Sequence, residues 1–137
     1  MIKKVYQTEL KYRVLYAHTD KLGVVYYGKY FEYFEAGRSD MLRKLGYPYK
    51  ELEKENISLP VIESHCQYFS SAKYDDVLII KAFLKEIPTV KIKIEYEIFL
   101  SKILVVSGYT VHVFVNSVNL KPLRPPEDFV NLIKINL

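Results

Sequence analysis

Between Tyr27 and Leu45 apolar side chains recur at the spacing of a helix. Tyr27, Tyr30, Phe31, Phe34, Met41, Leu42 and Leu45 share one face, while Glu32, Glu35 and Arg38 fall mostly elsewhere. This period predicts a single long amphipathic helix whose apolar stripe must be covered by another element. Gly46 reads as its C-cap, and Pro48 prevents continuation. Gly37 lies mid-helix, where glycine costs about 1 kcal/mol relative to alanine. Its expected benefit is the close approach of another backbone. Tyr49 to Glu55 reads as a short second helix.

The rest of the chain has a different period. Leu10, Tyr12, Val14 and Tyr16 alternate with Lys11 and Arg13, as in a half-buried strand. His18 to Leu22 reads as a loop. From Leu59 onward strands are expected: a mixed segment from Pro60 to Phe69, then Val77 to Glu86, Val90 to Ile98 and Ile103 to Val115. The third is the cleanest, with Val90, Ile92, Ile94, Tyr96 and Ile98 alternating against Lys91, Lys93, Glu95 and Glu97. Ile87-Pro88 and Ser101-Lys102 read as short connections, which imply an antiparallel meander. After three closely spaced prolines comes a final apolar segment. A strand, one long helix and a run of strands make an α+β domain, with an antiparallel sheet curled around one central helix. The outer sheet face is only partly polar, so pairing with another copy is expected.

The 137 residues fit one domain spanning positions 1–137. Such a length buries about two-thirds of the unfolded chain's surface, enough to fold without staples. The net charge of +4 comes without a dense Lys/Arg run. Nucleic acid is therefore not an expected partner, whereas a small anionic substrate suits the field. The lone Cys66 permits no internal disulfide and points to a reducing, cytoplasmic setting. The N-terminal MIKKVYQTELKYR has no apolar core, so no signal peptide is read there. No apolar run reaches about 18 residues, so no membrane span is expected. Only two glutamines, with abundant Lys, Glu, Ile and Tyr, hint at a thermophilic source.

One acidic residue stands apart. Asp20 precedes the small apolar run Gly23-Val24-Val25-Tyr26 and then the helical pattern. A helix start presents free N–H groups and partial positive charge, so an oxyanion can be held there while a carboxylate attacks or activates water. By itself, Asp20 reads first as a loop or capping aspartate. His18 reads as an exposed loop histidine that can also tune Asp20. His65 and His112 stand alone without metal-ligand spacing, and no metal or cofactor is expected. Cys66 reads as a packed apolar residue, and Asp75-Asp76 as a solvated turn.

The stretch Tyr16-Ala17-His18-Thr19-Asp20-Lys21-Leu22-Gly23-Val24-Val25-Tyr26-Tyr27, followed by Tyr30 and Glu35-Ala36-Gly37-Arg38, resembles the hotdog-fold acyl-CoA thioesterases of the 4-hydroxybenzoyl-CoA thioesterase and YbgC-like branch. The shared pattern is an aspartate, two residues, then Gly-[Val/Ile]-Val-[Tyr/Trp] entering the central helix. Ser71 to Leu78 and Pro125 to Phe129 are similar to further family segments. The resemblance implies a hotdog fold and hydrolysis of an acyl-CoA thioester to free acid and CoA. It implies that Asp20 is nucleophile or general base, and that the backbone N–H at Tyr27 polarises the carbonyl. It further implies that Gly23, Val25, Tyr26 and Tyr30 lie against the substrate, that Lys121 reaches CoA phosphates from a neighbouring subunit, and that the protein is a homodimer or homotetramer. His18 stands where YbgC-like members often carry Asp, and Tyr27 where they often carry His; a backbone role at Tyr27 survives that change. Two other readings stay open: a hydratase or dehydratase of the same architecture, and a non-catalytic acyl-CoA-binding or scaffolding protein.

Overall fold

The computed structural model describes residues 5–137. Met1–Lys4, the start of the segment read as lacking a signal peptide, lie outside the described residues. The elements in order are β1 (Tyr6–Arg13), α1 (Lys29–Leu45), α2 (Tyr49–Lys54), β2 (Ile57–Ser58), β3 (Val61–Tyr68), β4 (Val77–Leu84), β5 (Lys91–Leu100), β6 (Ile103–Val113), β7 (Val115–Asn116) and α3 (Glu127–Asn136). Among the described residues no helix is long and apolar enough to cross a membrane.

Five antiparallel strands form the main sheet in the order β1-β4-β5-β6-β3. The expected meander therefore holds for β4, β5 and β6 only. β3 is not beside β4, its successor in the chain; it crosses to the far edge and pairs with β6. β1 closes the other edge against β4. Local connection length could not reveal this, because the segment from Phe69 to Asp76 is long enough to cross the sheet.

Helix α1 lies along the inner sheet face. It buries Tyr30, Tyr33, Phe34, Gly37, Met41, Leu42 and Leu45. Facing it, Leu78, Ile80, Ala82 and Leu84 of β4 and Ile92, Ile94, Tyr96 and Ile98 of β5 are buried at every second position, which is the period that points one side of a strand inward. Phe34 stacks flat on Tyr96, with centroids 4.3 Å apart and planes 6° apart. That approach needs Gly108 on β6. A Cβ there would lie 2.9 Å from the Phe34 ring and collide with the backbone carbonyl oxygen of His65.

Three expectations about α1 change. Tyr27 lies ahead of the helix and is 63% exposed. Phe31 is only half-buried, and the fully buried place at that level belongs to Tyr33. Gly37 is approached not by a backbone but by the Ile80 side chain, whose Cγ2 would sit 2.7 Å from an added Cβ. Gly46 does end the helix, at φ 94°, with its N–H donating to the Arg43 and Leu42 carbonyls. The final apolar segment folds as α3, which buries Phe129 and Ile133 one turn apart and sets Phe129 against Tyr47 and Phe114.

Candidate active site

The loop before α1 is a small hairpin. The Asp20 N–H donates to the Val24 carbonyl at 2.9 Å, and the Tyr26 N–H donates to the His18 carbonyl at 2.9 Å. Thr19 and Val25 bridge between these two bonds. The turn closes with the Gly23 N–H donating to the Asp20 carbonyl at 2.9 Å. Gly23 has φ 80°, the left-handed conformation that glycine adopts without strain. Asp20 steadies this turn, because its Oδ1 accepts the Leu22 N–H at 2.9 Å.

The second arm is fastened to the body of the domain. Val25 is buried, and its N–H donates to the Ala72 carbonyl at 2.8 Å. Val24 bridges to Lys73. The chain then turns through Tyr26, Tyr27 and Gly28 into α1. The first helical bonds are stretched i→i+3 contacts: Tyr30 N–H to the Tyr27 carbonyl at 3.4 Å and Phe31 N–H to the Gly28 carbonyl at 3.3 Å. The N–H groups of Tyr27 and Gly28 have no acceptor among the described residues, as expected of a helix start without a side-chain cap. Asp20 and two free amides thus belong to one hairpin-and-turn unit.

Aromatic rings hold this unit from behind. His18 is not an exposed loop residue. Its ring stacks on Tyr12 at 6.2 Å and 18°, and its Nδ1 hydrogen-bonds the Tyr33 hydroxyl at 3.0 Å. Burial pushes the Tyr33 hydroxyl well above the ordinary tyrosine range, so it remains protonated at neutral pH. Tyr30 is buried, which raises its pKa to about 12. From the sheet edge, the Tyr68 hydroxyl donates to the Tyr27 carbonyl at 3.0 Å, and its ring meets Tyr30 edge-on at 5.7 Å. Neither Tyr33 nor Tyr68 stood out in the sequence. Tyr33 falls between residues of the apolar stripe, and Tyr68 lies in the mixed segment that gave no period.

The remaining expected residues divide. Gly23, Val25, Tyr26 and Tyr30 all belong to the hairpin, the turn or the first helical turn. Lys121 is exposed in a separate loop, where its N–H donates to Asn119 Oδ1 and its carbonyl accepts the Asn116 N–H. His112 is buried in the core, bonded to the Leu59 carbonyl and Thr110 Oγ1. Cys66 is half-buried against the core, and burial pushes its thiol up. Depressions of about 300 and 430 Å³ lie on the outer sheet face, around Ser107 and Tyr109 and around Lys81 and Phe99; no hairpin residue lines them.

A sequence model of the Thioesterase-like superfamily matches residues 14–133, which hold the hairpin, the helix α1 and every strand of the main sheet except β1. This chain belongs to that superfamily. Within it the YbgC acyl-CoA thioesterase of Haemophilus influenzae is 31% identical over 118 residues, 85% of this chain and 86% of that one. The DHNA-CoA thioesterase structure from Staphylococcus aureus superposes with a TM-score of 0.86 at 30% identity, covering 96% of this chain and 89% of that chain. The 4-hydroxybenzoyl CoA thioesterase of Pseudomonas sp. strain CBS-3 superposes at 0.83 with 21% identity over 93% of this chain and 99% of the other, a likeness of fold. This superfamily member is a YbgC-like hotdog thioesterase, with the antiparallel sheet wrapped around α1.

Proposed function

We propose that the protein hydrolyses an acyl-CoA thioester to a free acid and CoA, with Asp20 as the reacting carboxylate. The observation that carries this reading is the pair of unpartnered N–H groups at Tyr27 and Gly28, in the same unit as Asp20. The thioester oxygen accepts the Tyr27 N–H, which stabilises negative charge as the carbonyl carbon becomes tetrahedral. Asp20 uses Oδ1 for the turn, leaving Oδ2 for chemistry. That oxygen either attacks the carbonyl, expelling the CoA thiolate and leaving an anhydride that water cleaves, or takes a proton from attacking water. Gly23, Val25, Tyr26 and Tyr30 form the near wall of the acyl site.

The working unit is proposed to be a homodimer. β3 is exposed except at the half-buried Cys66, with Val61 45%, Ile62 50% and Tyr68 44% accessible, and among the described residues its outer edge carries no partner strand. A long, partly apolar edge is a template for another strand. A second copy paired there would stand beside Tyr68 and the start of α1, and would supply the far wall that a single chain does not. In this reading Lys121 of that neighbour would reach the CoA phosphates.

The test is thiol release from acetyl-, butyryl-, hexanoyl- and benzoyl-CoA by wild-type protein and by Asp20→Asn. Asparagine keeps an oxygen for the Leu22 N–H, so the turn and the melting temperature are retained. Activity should fall about 100-fold or more, because an amide neither attacks nor takes a proton. Asp20→Ala should in addition lose about 1 kcal/mol with the turn bond. A fully active Asp20→Asn protein would leave Asp20 a turn residue only. Binding of acyl-CoA by the wild-type protein without thiol release would favour the non-catalytic reading.

A further inference from the structure

We infer that Tyr68 is a positioning residue for this reaction, acting through the peptide unit between Tyr27 and Gly28; the inference rests on the proposed use of the helix start as the oxyanion site. The Tyr68 hydroxyl reaches from the edge strand β3 and donates to the Tyr27 carbonyl at 3.0 Å. Among the described residues the only other donor to that carbonyl is the Tyr30 N–H at 3.4 Å, a stretched contact. A hydroxyl from the sheet therefore takes the place of a full helical bond where α1 begins.

A trans peptide is planar, and its C=O and N–H point in opposite directions. Anchoring the oxygen of the 27–28 unit sets the direction of the Gly28 N–H at its other end, and that N–H has no acceptor among the described residues. The anchoring bond also polarises the unit, which makes its N–H a better donor. Gly28 itself is helical, at φ −69° and ψ −20°. Tyr68 thus prepares a second amide donor beside that of Tyr27 before any carbonyl arrives.

The rest of the ring's surroundings suits a fixed donor. It sits edge-on to Tyr30 at 5.7 Å and to Tyr27 at 6.5 Å. Partial burial and the neighbouring Cys66 raise the Tyr68 pKa to about 12, so the phenol keeps its proton at neutral pH. Because Tyr68 ends the exposed strand β3, a partner strand docking there would also hold the ring that holds the amide.

The experiment compares wild type, Tyr68→Phe and Asp20→Asn on whichever of the four acyl-CoA esters wild type hydrolyses fastest. A direct oxyanion donor is worth about 100- to 1,000-fold in kcat, so a group acting one bond away should be worth about tenfold. Tyr68→Phe should lower kcat about tenfold with KM within about twofold, circular dichroism and oligomeric state being unchanged. A second arm replaces Tyr68 by 3,5-difluorotyrosine, a more acidic phenol of the same shape. The high-pH fall of kcat should then move to lower pH, since a phenolate cannot donate. Unchanged kcat in Tyr68→Phe beside an inactive Asp20→Asn would overturn the role of Tyr68 alone, as would a difluorotyrosine protein whose pH profile matches wild type. An active Asp20→Asn, or no thiol release by wild type, would remove the site reading and this role with it.

Discussion

Replacing Gly37 by alanine sets two opposed effects against each other, and the structure gives their sizes. Alanine in a helix interior is favoured over glycine by about 0.8–1.0 kcal/mol, because the unfolded glycine has more freedom to lose. Against this, the new methyl would lie 2.7 Å from Ile80 Cγ2, about 1 Å inside ordinary carbon contact. Neither partner has an easy escape. Ile80 is 1% exposed in the middle of β4, and α1 is held to the sheet less than one turn away by the Phe34–Tyr96 stack. Overpacking at such a site costs about 1–3 kcal/mol. The net expectation is a loss of about 1 kcal/mol, read as a lower urea midpoint at unchanged slope and fixed protomer concentration. Ile80→Leu removes the β-branch methyl that is struck. In that background Gly37→Ala should be neutral or stabilising by up to about 1 kcal/mol. A Gly37→Ala effect that is the same in both backgrounds, or stabilising in wild type, would refute the collision as the reason for glycine.

Two further outcomes follow from the core. Burial depresses the His112 pKa, with nearby Arg38 adding to the shift and the Leu59 carbonyl opposing it. As pH falls below the ordinary value of 6.5, the unfolded chain takes up this proton before the folded one. Stability should therefore decline from about pH 6.5 downward until the folded group also protonates, and a His112→Gln series of melting curves should show a shallower slope; equal slopes would exclude His112 as the source. Gly108→Ala forces a methyl against the His65 carbonyl and the Phe34 ring. It should cost about 3 kcal/mol or more by urea unfolding and disturb the β3 edge, so that chromatography should also report a weaker form of the proposed dimer; an unchanged midpoint would contradict the packing described.

Local signals were readable where one element sufficed. The period of β5 marked its buried face at Ile92, Ile94, Tyr96 and Ile98, and Gly46 marked the end of α1. Asp20 could be singled out because an aspartate, a glycine turn and a helix start are neighbours in the chain. Tyr68 could not, since its partner is a backbone carbonyl 41 residues away. His18 looked exposed for the same reason: Tyr12 and Tyr33, which enclose it, reach it from a strand and a helix.

Period, turn chemistry and capping are properties of a few consecutive residues, so the sequence by itself determined that one long helix would meet a largely antiparallel sheet. It also determined that Asp20 would stand at the helix entrance. Strand order, the choice of Tyr33 over Phe31 for the interior, the Ile80 contact at Gly37 and the grip of Tyr68 on the Tyr27 carbonyl were decided by tertiary structure. Each depends on which distant surfaces meet once β3 has crossed to the far edge, and no local pattern carries that information.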